Sequence, residues 1–199
     1  MTRSAFITGG GGGLGVAVVE RFLTADWNVT APRRDEADLT DPEAVERVVA
    51  AAGPLHAVVN LAGGFTFGQP VADTPVEVFE ANFALNLRPT YLVTRAAIPR
   101  LAPDGAIVCT SSVAAGKPSG GGSGYAASKA AVTAFALAVA QEGVRCNVIS
   151  PTLIDTPANR ASMPESAWGR LVPPERIAEV VFWLCSPESA ALNGVELAV

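Results

Sequence analysis

The sequence of 199 residues has no run of basic residues and few charged residues of either sign. Charged residues make up 17% of the chain, and the formal net charge is −5. Proteins that bind nucleic acid present a basic patch, so we expect no nucleic-acid partner. Hydrophobic residues make up 49%, which argues against disorder and predicts one compact domain over residues 1–199 with a full apolar core.

Cysteines are also scarce, and Cys109, Cys146 and Cys185 lie far apart in the sequence. An odd number of cysteines without a CxxC pair predicts neither a disulfide framework nor a zinc site, and we expect no metal. No apolar run is long enough to span a membrane, and we expect no signal peptide at the N-terminus. We therefore expect a cytoplasmic protein with no membrane partner.

Short apolar segments alternate with segments of helical periodicity along the chain. Such alternation predicts parallel strands joined by crossover helices, and strands buried on both faces are uniformly apolar. The predicted fold class is α/β, a single Rossmann-like doubly wound domain with a central parallel sheet of about seven strands flanked by helices. The strand candidates are residues 5–8, 28–31, 56–60, 106–110, 145–149 and 195–199. The helix candidates are residues 14–25, 43–52, 75–101 with a kink or break at Pro89, 125–141 and 174–184.

A run of glycines separates the first strand candidate from the first helix candidate. Glycine permits backbone angles and close approaches that a Cβ would block. A glycine-rich turn before a helix exposes N–H groups at the positive helix end, which suits a pyrophosphate. A plain flexible turn is the alternative, but the position between strand and helix favours a nucleotide site. The candidate contacts are Gly9, Gly13, Leu14 and Gly15.

Tyr125 and Lys129 lie four residues apart at the start of a predicted helix, so their side chains share one face. A phenol is a weak acid at neutral pH, but a neighbouring ammonium favours the phenolate and lowers the pKa of the phenol. Ser112 lies thirteen residues before Tyr125, just after a strand whose end faces the ligand crevice. Its hydroxyl is placed to stabilise charge on a substrate oxygen. Ser111 is the competing candidate and is by itself typical of a turn.

The order T-G-x-x-x-G-L-G, then serine, then Y-x-x-x-K resembles the short-chain dehydrogenase/reductase family over nearly the whole chain. The resemblance implies hydride transfer between a nicotinamide cofactor and a small carbonyl or alcohol substrate. It assigns proton transfer to Tyr125, substrate positioning to Ser112, and a water-mediated proton relay to Lys129 and Asn86. An asparagine inside a helix is otherwise most often exposed or locally bonded. The resemblance also implies a homodimer or homotetramer, in which the predicted helices over residues 75–101 and 125–141 pack between subunits.

Three further motifs resemble cofactor contacts of that family. Residues 60–63 resemble N-N-A-G with Leu61 in the second position, where small residues allow close packing on the adenine ribose. The Asp–Leu pair at residues 38–39 resembles the pair that contacts adenine. Residues 151–156 resemble P-G-x-(I/V/L)-x-T near the carboxamide, with Thr152 replacing glycine. The implied contacts are Asp38, Leu39, Asn60, Ala62, Gly63, Pro151, Leu153 and Thr156, together with Tyr125 and Lys129.

Arg33 and Arg34 follow the second strand candidate, where an NAD-specific site would have a carboxylate for the ribose 2′-hydroxyl. Two guanidinium groups instead suit a 2′-phosphate through charge-assisted bonds. The sequence therefore predicts a preference for NADP(H), with NAD(H) as the alternative. Asp35 and Glu36 follow directly, and their pairing with the arginines would weaken this prediction.

Residues 157–173 are expected to form a substrate lid, because loops over the crevice carry specificity. Met163 and Trp168 are its apolar candidates, and packing of Trp168 on the core is the alternative. The segment G-F-T-F-G at residues 64–68 resembles the dihydropteridine-reductase branch, although that branch lacks the serine present here as Ser112. Two alternatives stay open: a pteridine-reductase-like enzyme, and a redox sensor that holds NADP without turnover.

Overall fold

A parallel sheet forms the centre of the computed structural model, which describes residues 2–66 and 69–199. Its strands are β1 (Ser4–Thr8), β2 (Asn28–Thr30), β3 (Leu55–Asn60), β4 (Leu101–Thr110), β5 (Cys146–Ser150) and β6 (Glu196–Ala198). They are hydrogen-bonded in the order β2-β1-β3-β4-β5-β6, and every neighbouring pair is parallel. Phe67 and Gly68 of the predicted G-F-T-F-G segment lie outside the described residues.

The predicted fold class is confirmed, and in the described part of the chain the sheet has six strands, slightly fewer than expected. One further parallel pairing, between Ile154 and Val172, remains an isolated bridge. It extends no further because Pro173 and Pro174 follow Val172, and proline has no N–H group to donate to a strand ladder.

Six α-helices lie between the strands in the part of the chain that the structure describes. They are α1 (Gly13–Thr24), α2 (Pro42–Ala51), α3 (Val76–Ala97), α4 (Ser123–Gln141), α5 (Pro157–Ala161) and α6 (Pro174–Cys185). Asp41 caps α2 by accepting a hydrogen bond of 3.0 Å from the Glu43 N–H, as its position before Pro42 favours. No helix in residues 2–66 and 69–199 is long and apolar enough to cross a membrane.

Two predicted helix boundaries are wrong by more than one residue. The helix expected over residues 75–101 ends at Ala97, because Pro99 cannot donate a helical hydrogen bond, and β4 already begins at Leu101. The helix is continuous through Pro89, so the kink or break expected there does not interrupt it. The helix expected from Tyr125 begins two residues earlier, at Ser123.

Helices cover both faces of the sheet. On one face, Phe6 and Val58 pack with buried residues of α2, α3 and α4. On the other face, Ile7 and Val59 pack with buried residues of α1 and α6. Successive strand residues point to opposite faces, so burial on both sides explains why these strands are uniformly apolar.

The strand order places a crevice at the carboxyl ends of β1 and β3. From β1 the chain crosses to β2 on one side, and it later returns to β3 on the other side, which is a topological switch point where ligands bind in such folds. Thr8 holds the two strand ends together, since its hydroxyl oxygen accepts hydrogen bonds of 3.0 Å from the N–H groups of Leu61 and Ala62.

Candidate active site

The glycine turn between β1 and α1 is packed too closely for side chains. Gly9 has φ +69°, and a Cβ there would lie 2.9 Å from the backbone nitrogen of Ala62. A Cβ on Gly15 would overlap the carbonyl oxygen of Gly9. Gly12, the residue before α1, offers no side-chain cap, so the first N–H groups of the helix face the crevice without a side-chain acceptor. Such a helix start suits an anion.

The segment after β5 meets this turn. A Cβ on Gly13 would lie 2.5 Å from Cγ2 of Thr156. The Thr156 hydroxyl also caps α5 by accepting a hydrogen bond of 3.2 Å from the Asn159 N–H. The sequence motif that contains Pro151, Leu153 and Thr156 therefore reaches the same edge of the sheet as the glycine turn.

A cleft of about 370 Å³ extends from the glycine turn past the end of β2. Predicted cofactor residues line it: Gly9, Arg33, Arg34, Asp38, Leu39, Ala62 and Gly63. We call it the nucleotide cleft. Leu85 and Pro89 of α3 also line it and were missed by sequence reasoning. Pro89 was the sequence signal that could have identified them. A proline inside a helix has no N–H group, so the carbonyl of Leu85, four residues earlier, loses its helical donor.

Arg33 has an acidic partner at the edge of the nucleotide cleft. Its Nε donates a hydrogen bond of 3.0 Å to Asp35 Oδ1, which raises the pKa of Arg33 and lowers that of Asp35. The two side chains are 70% and 64% exposed, so water screens the pair and its strength is small. The expected competition between Asp35 and a bound phosphate is therefore present but weak.

Asp38 is held in a local turn. Its Oδ1 accepts hydrogen bonds of 2.8 Å from the Thr40 N–H and 2.7 Å from the Thr40 hydroxyl. These bonds stabilise the carboxylate and hold the pKa of Asp38 below its usual range. The Asp38 carboxylate thus stabilises the part of the cleft wall that Asp38, Leu39 and Thr40 form.

Lys129 is a buried cation on the first turns of α4. Its side chain donates a hydrogen bond of 2.9 Å from Nζ to the backbone oxygen of Thr110, at the end of β4. Only 6% of the residue is exposed, and this burial lowers its pKa to about 8. Tyr125 lies one helical turn earlier on the same face and is partly buried.

Asn86 and Lys129 converge on Gly63. A Cβ on Gly63 would lie 2.6 Å from Oδ1 of Asn86 and 3.3 Å from Nζ of Lys129. The Asn86 amide group donates hydrogen bonds of 2.9 Å to the Asn82 carbonyl and 3.1 Å to the Ser128 hydroxyl. Sequence reasoning missed Asn82 and Ser128, because both are recognised only through these tertiary contacts.

The two adjacent serines, Ser111 and Ser112, differ in their hydrogen bonds. Ser111 donates from its hydroxyl to the Lys129 carbonyl at 2.9 Å and accepts from the Thr133 hydroxyl at 2.8 Å. Ser112 only accepts, at 3.2 Å from the Ala114 N–H, so its hydroxyl proton has no acceptor among these contacts. Ser112 is therefore the better candidate for binding a substrate oxygen.

Asn60 points into the protein rather than into the nucleotide cleft. Its Nδ2 donates to the Thr94 hydroxyl at 3.1 Å and contacts the Cys109 sulfur at 3.7 Å. It thereby joins β3 to α3 and β4, and it does not line the nucleotide cleft, where the resemblance implied a cofactor contact.

The predicted lid contains α5 and a 3-10 helix, Glu165–Arg170. Arg160 forms a bidentate ion pair with Asp155, and its guanidinium lies 4.8 Å from the centre of the Trp168 ring. Trp168 is thus held by Arg160, a contact that sequence reasoning did not identify. Within residues 2–66 and 69–199, no cluster of three or more His, Cys, Asp or Glu side chains is arranged to hold a metal ion.

Known proteins are similar to this chain in sequence and in fold. A family model described as enoyl-(acyl carrier protein) reductase matches residues 31–199. A curated relative, 2-(R)-hydroxypropyl-CoM dehydrogenase of Xanthobacter autotrophicus, is 30% identical over 99% of this chain and 96% of its own length. Among solved structures, 3-ketoacyl-(acyl-carrier-protein) reductase from Brucella melitensis complexed with NADH has TM-score 0.88 and 28% identity, covering 99% of this chain and 96% of the other. A blue fluorescent protein from a metagenomic library in complex with NADPH has TM-score 0.89 and 26% identity, with the same coverage.

The fold, the glycine turn and these likenesses define a class of protein, the nicotinamide-dependent oxidoreductases that act on alcohol and carbonyl groups. Within that class, the chain belongs to the short-chain dehydrogenase/reductase family.

Proposed function

We propose that the protein is an NADP(H)-dependent oxidoreductase that transfers a hydride between nicotinamide and a carbonyl or alcohol substrate. Tyr125, Lys129, Ser112 and Asn86 form the proposed catalytic set. The observation that carries the proposal is the convergence of Lys129 Nζ and Asn86 Oδ1 on Gly63, next to the glycine turn. A sensor that only holds the cofactor has no need of this arrangement beside a tyrosine.

The residues present fit a dinucleotide. The glycine turn has no room for Cβ atoms, the start of α1 has no side-chain cap, and the nucleotide cleft offers about 370 Å³. NADP(H), when bound, supplies or accepts the hydride. The residues proposed to hold it are Gly9, Gly13, Leu14, Gly15, Arg33, Arg34, Asp38, Leu39, Ala62, Gly63, Tyr125, Lys129, Pro151, Leu153 and Thr156.

Proton transfer is assigned to α4 and the end of β4. In the reducing direction, the Tyr125 hydroxyl gives its proton to the carbonyl oxygen while the Ser112 hydroxyl donates a hydrogen bond to the same oxygen. The Lys129 ammonium, one helical turn away, stabilises the phenolate that remains, and its burial weakens the screening of this interaction by water. Asn86 supports the relay that returns a proton to Tyr125. In the oxidising direction, the Tyr125 phenolate accepts the proton of the alcohol.

The preference for NADP(H) over NAD(H) rests on Arg33 and Arg34, which both line the nucleotide cleft. A 2′-phosphate carries more charge than the Asp35 carboxylate, so it competes well for the exposed Arg33 guanidinium. We further propose that residues 157–173 act as the lid, that α3 and α4 join copies of the chain into a dimer or tetramer, and that the protein works in the cytoplasm. The last proposal is supported by the buried free thiols of Cys109, Cys146 and Cys185.

A screen of aldehydes and ketones tests the proposed function. NADPH absorbance is followed with each compound, and the same panel is repeated with NADH. We expect turnover of several carbonyl compounds, faster with NADPH. Tight NADPH binding by fluorescence titration without turnover of any compound would instead support the redox sensor.

A further inference from the structure

The short loop after β3, residues 64–66, is fastened to α3 at two points. The Gly64 N–H donates a hydrogen bond of 3.1 Å to Asn86 Oδ1, and the Thr66 N–H donates one of 3.4 Å to Asn82 Oδ1. Asn82 and Asn86 are one helical turn apart, so they stand one above the other on the same face of α3. We call these residues the asparagine pair.

The asparagine pair is itself immobilised. Asn82 and Asn86 are 2% and 1% exposed, and the Asn82 amide donates to the Val78 carbonyl at 2.9 Å. Asn86 donates to the Asn82 carbonyl and to the Ser128 hydroxyl, and Ser128 in turn donates to the Tyr125 carbonyl at 2.8 Å. Rotation of either amide would leave buried polar groups without partners, which is costly.

The asparagine pair also contacts the start of α4. A Cβ on Gly124, the residue before Tyr125, would lie 3.0 Å from Asn82 Nδ2 and 3.3 Å from the Phe79 ring. The loop and the catalytic helix are therefore fixed by the same side chains. Their relative position is set before any substrate binds.

Phe65 lies between the two fastened backbone positions. Its ring is edge-on to the Tyr125 ring, with the centroids 6.2 Å apart and an angle of 69° between the planes. Even so, 59% of the residue is exposed. A phenylalanine held beside the proposed proton donor, with much of its ring accessible, offers an apolar surface to whatever binds at the Tyr125 hydroxyl.

Resting on the proposed function, we propose that Phe65, positioned by Asn82 through the loop backbone, is a specificity-determining residue that selects carbonyl substrates bearing an aryl group next to the carbonyl carbon. A carbonyl oxygen that meets the Tyr125 hydroxyl brings its flat substituent within reach of Phe65. Aromatic rings contact each other favourably in edge-to-face or offset geometry at such centroid distances. A small aliphatic substituent gains much less from the same surface, because the gain grows with buried apolar area.

Two probe substrates test the proposal, acetophenone and 2-butanone, each reduced with NADPH. Phe65→Ala should lower kcat/KM for acetophenone by about tenfold or more, as expected for loss of one apolar wall of a pocket. For 2-butanone the loss should be less than about threefold. Leu23→Ala is the matched control, because Leu23 is similarly exposed, at 53%, near the far end of α1. It should leave both values unchanged.

The positioning role of Asn82 is tested by a double-mutant cycle. Asn82→Ala should raise KM for acetophenone with little change in kcat, while the affinity for NADPH by fluorescence titration stays the same. Combined with Phe65→Ala it should add little further loss of aryl selectivity, since residues that act through one another are not additive. If Asn82 had a purely structural role, Asn82→Ala would lower kcat/KM equally for acetophenone and for 2-butanone. Its effect would then add to that of Phe65→Ala.

The two proposals fail in different ways. Equal losses for acetophenone and 2-butanone in Phe65→Ala, or a wild type that reduces 2-butanone but not acetophenone, would overturn the role of Phe65 and leave the proposed function standing. An additive double mutant would overturn the positioning role of Asn82. Absence of turnover with every carbonyl compound would overturn the proposed function and this inference with it.

Discussion

Lys129 donates a hydrogen bond of 2.9 Å from its Nζ atom to the carbonyl oxygen of Thr110, and no acidic side chain contributes to the shift of its pKa. Burial alone lowers that pKa to about 8, with a nearby Cys109 thiol as the opposing influence. The cation proposed to stabilise the Tyr125 phenolate is therefore maintained at an energetic cost, and this cost is measurable.

The stability of the wild type relative to Lys129→Met should depend on pH. The folded pKa of about 8 lies below the ordinary value of 10.5, so the unfolded chain binds more protons between these two pH values. The free energy of unfolding of the wild type is therefore reduced below pH 8, and it increases as the pH rises from 8 towards 10.5. The shift corresponds to about 3 kcal/mol as an upper estimate.

Urea unfolding of both proteins at pH 7 and at pH 10 checks this. The difference in unfolding free energy should move in favour of the wild type at the higher pH. The loss of the hydrogen bond to Thr110 changes the difference in unfolding free energy by the same amount at both pH values. It therefore cancels when the two pH values are compared. A pH-independent difference would contradict a buried ammonium.

The catalytic activity should also depend on the protonation of Lys129. The kcat/KM for carbonyl reduction reports the ionisation of the free enzyme, so it should fall above about pH 8 as Lys129 becomes neutral. A pH profile of NADPH consumption from pH 6 to pH 10 measures it. A flat profile across pH 8 would show that the charge on Lys129 is not needed.

Gly13→Ala should weaken cofactor binding, because the new Cβ would lie 2.5 Å from Cγ2 of Thr156. We expect about a tenfold loss of NADPH affinity by fluorescence titration, since a displacement of the phosphate-binding turn disturbs several charge-assisted bonds. Thr156→Ser removes Cγ2 and keeps the hydroxyl that caps α5, so the double variant should recover part of the loss. Gly15→Ala is the contrasting control, because its Cβ would overlap the Gly9 backbone and Thr156→Ser gives no relief there.

Replacement of Arg33 and Arg34 by alanine should change cofactor preference. Loss of two guanidinium groups from the nucleotide cleft should weaken NADPH binding by about tenfold or more while NADH binding changes by less than about threefold. The double variant Arg47→Ala/Arg176→Ala removes two exposed arginines, on α2 and α6, and is the control for net charge. Equal weakening of NADPH and NADH would remove the argument for NADP(H).

The parts of the site that depend on local spacing were predictable from the sequence. The glycine turn, the Tyr125–Lys129 pair and the parallel α/β sheet all follow from short motifs or from periodicity. The boundary between α3 and β4 was predicted wrongly, because the helical stop at Pro99 was not recognised in the sequence and the pairing of Leu101 with Leu55 decides where the strand begins.

Buried polar partners were the other omission. Asn82 and Ser128 are unremarkable in sequence, since asparagine and serine inside helices are usually exposed or bonded to their own backbone. Their roles arise from the packing of α3 against α4, which no local pattern specifies. Ser112 was already preferred to Ser111 through the family resemblance, and the contact of Ser111 with the Lys129 carbonyl adds a reason that the sequence did not contain.

The most direct test of the account is the Tyr125→Phe variant, measured for both turnover and cofactor binding. Removal of the proton donor should lower kcat for carbonyl reduction by about 10²–10⁴-fold while the affinity for NADPH changes little. Tyr91→Phe is the matched control, because Tyr91 is the other of the two tyrosines and lies exposed on α3. Retention of wild-type turnover by Tyr125→Phe would contradict the central claim that Tyr125 transfers the proton.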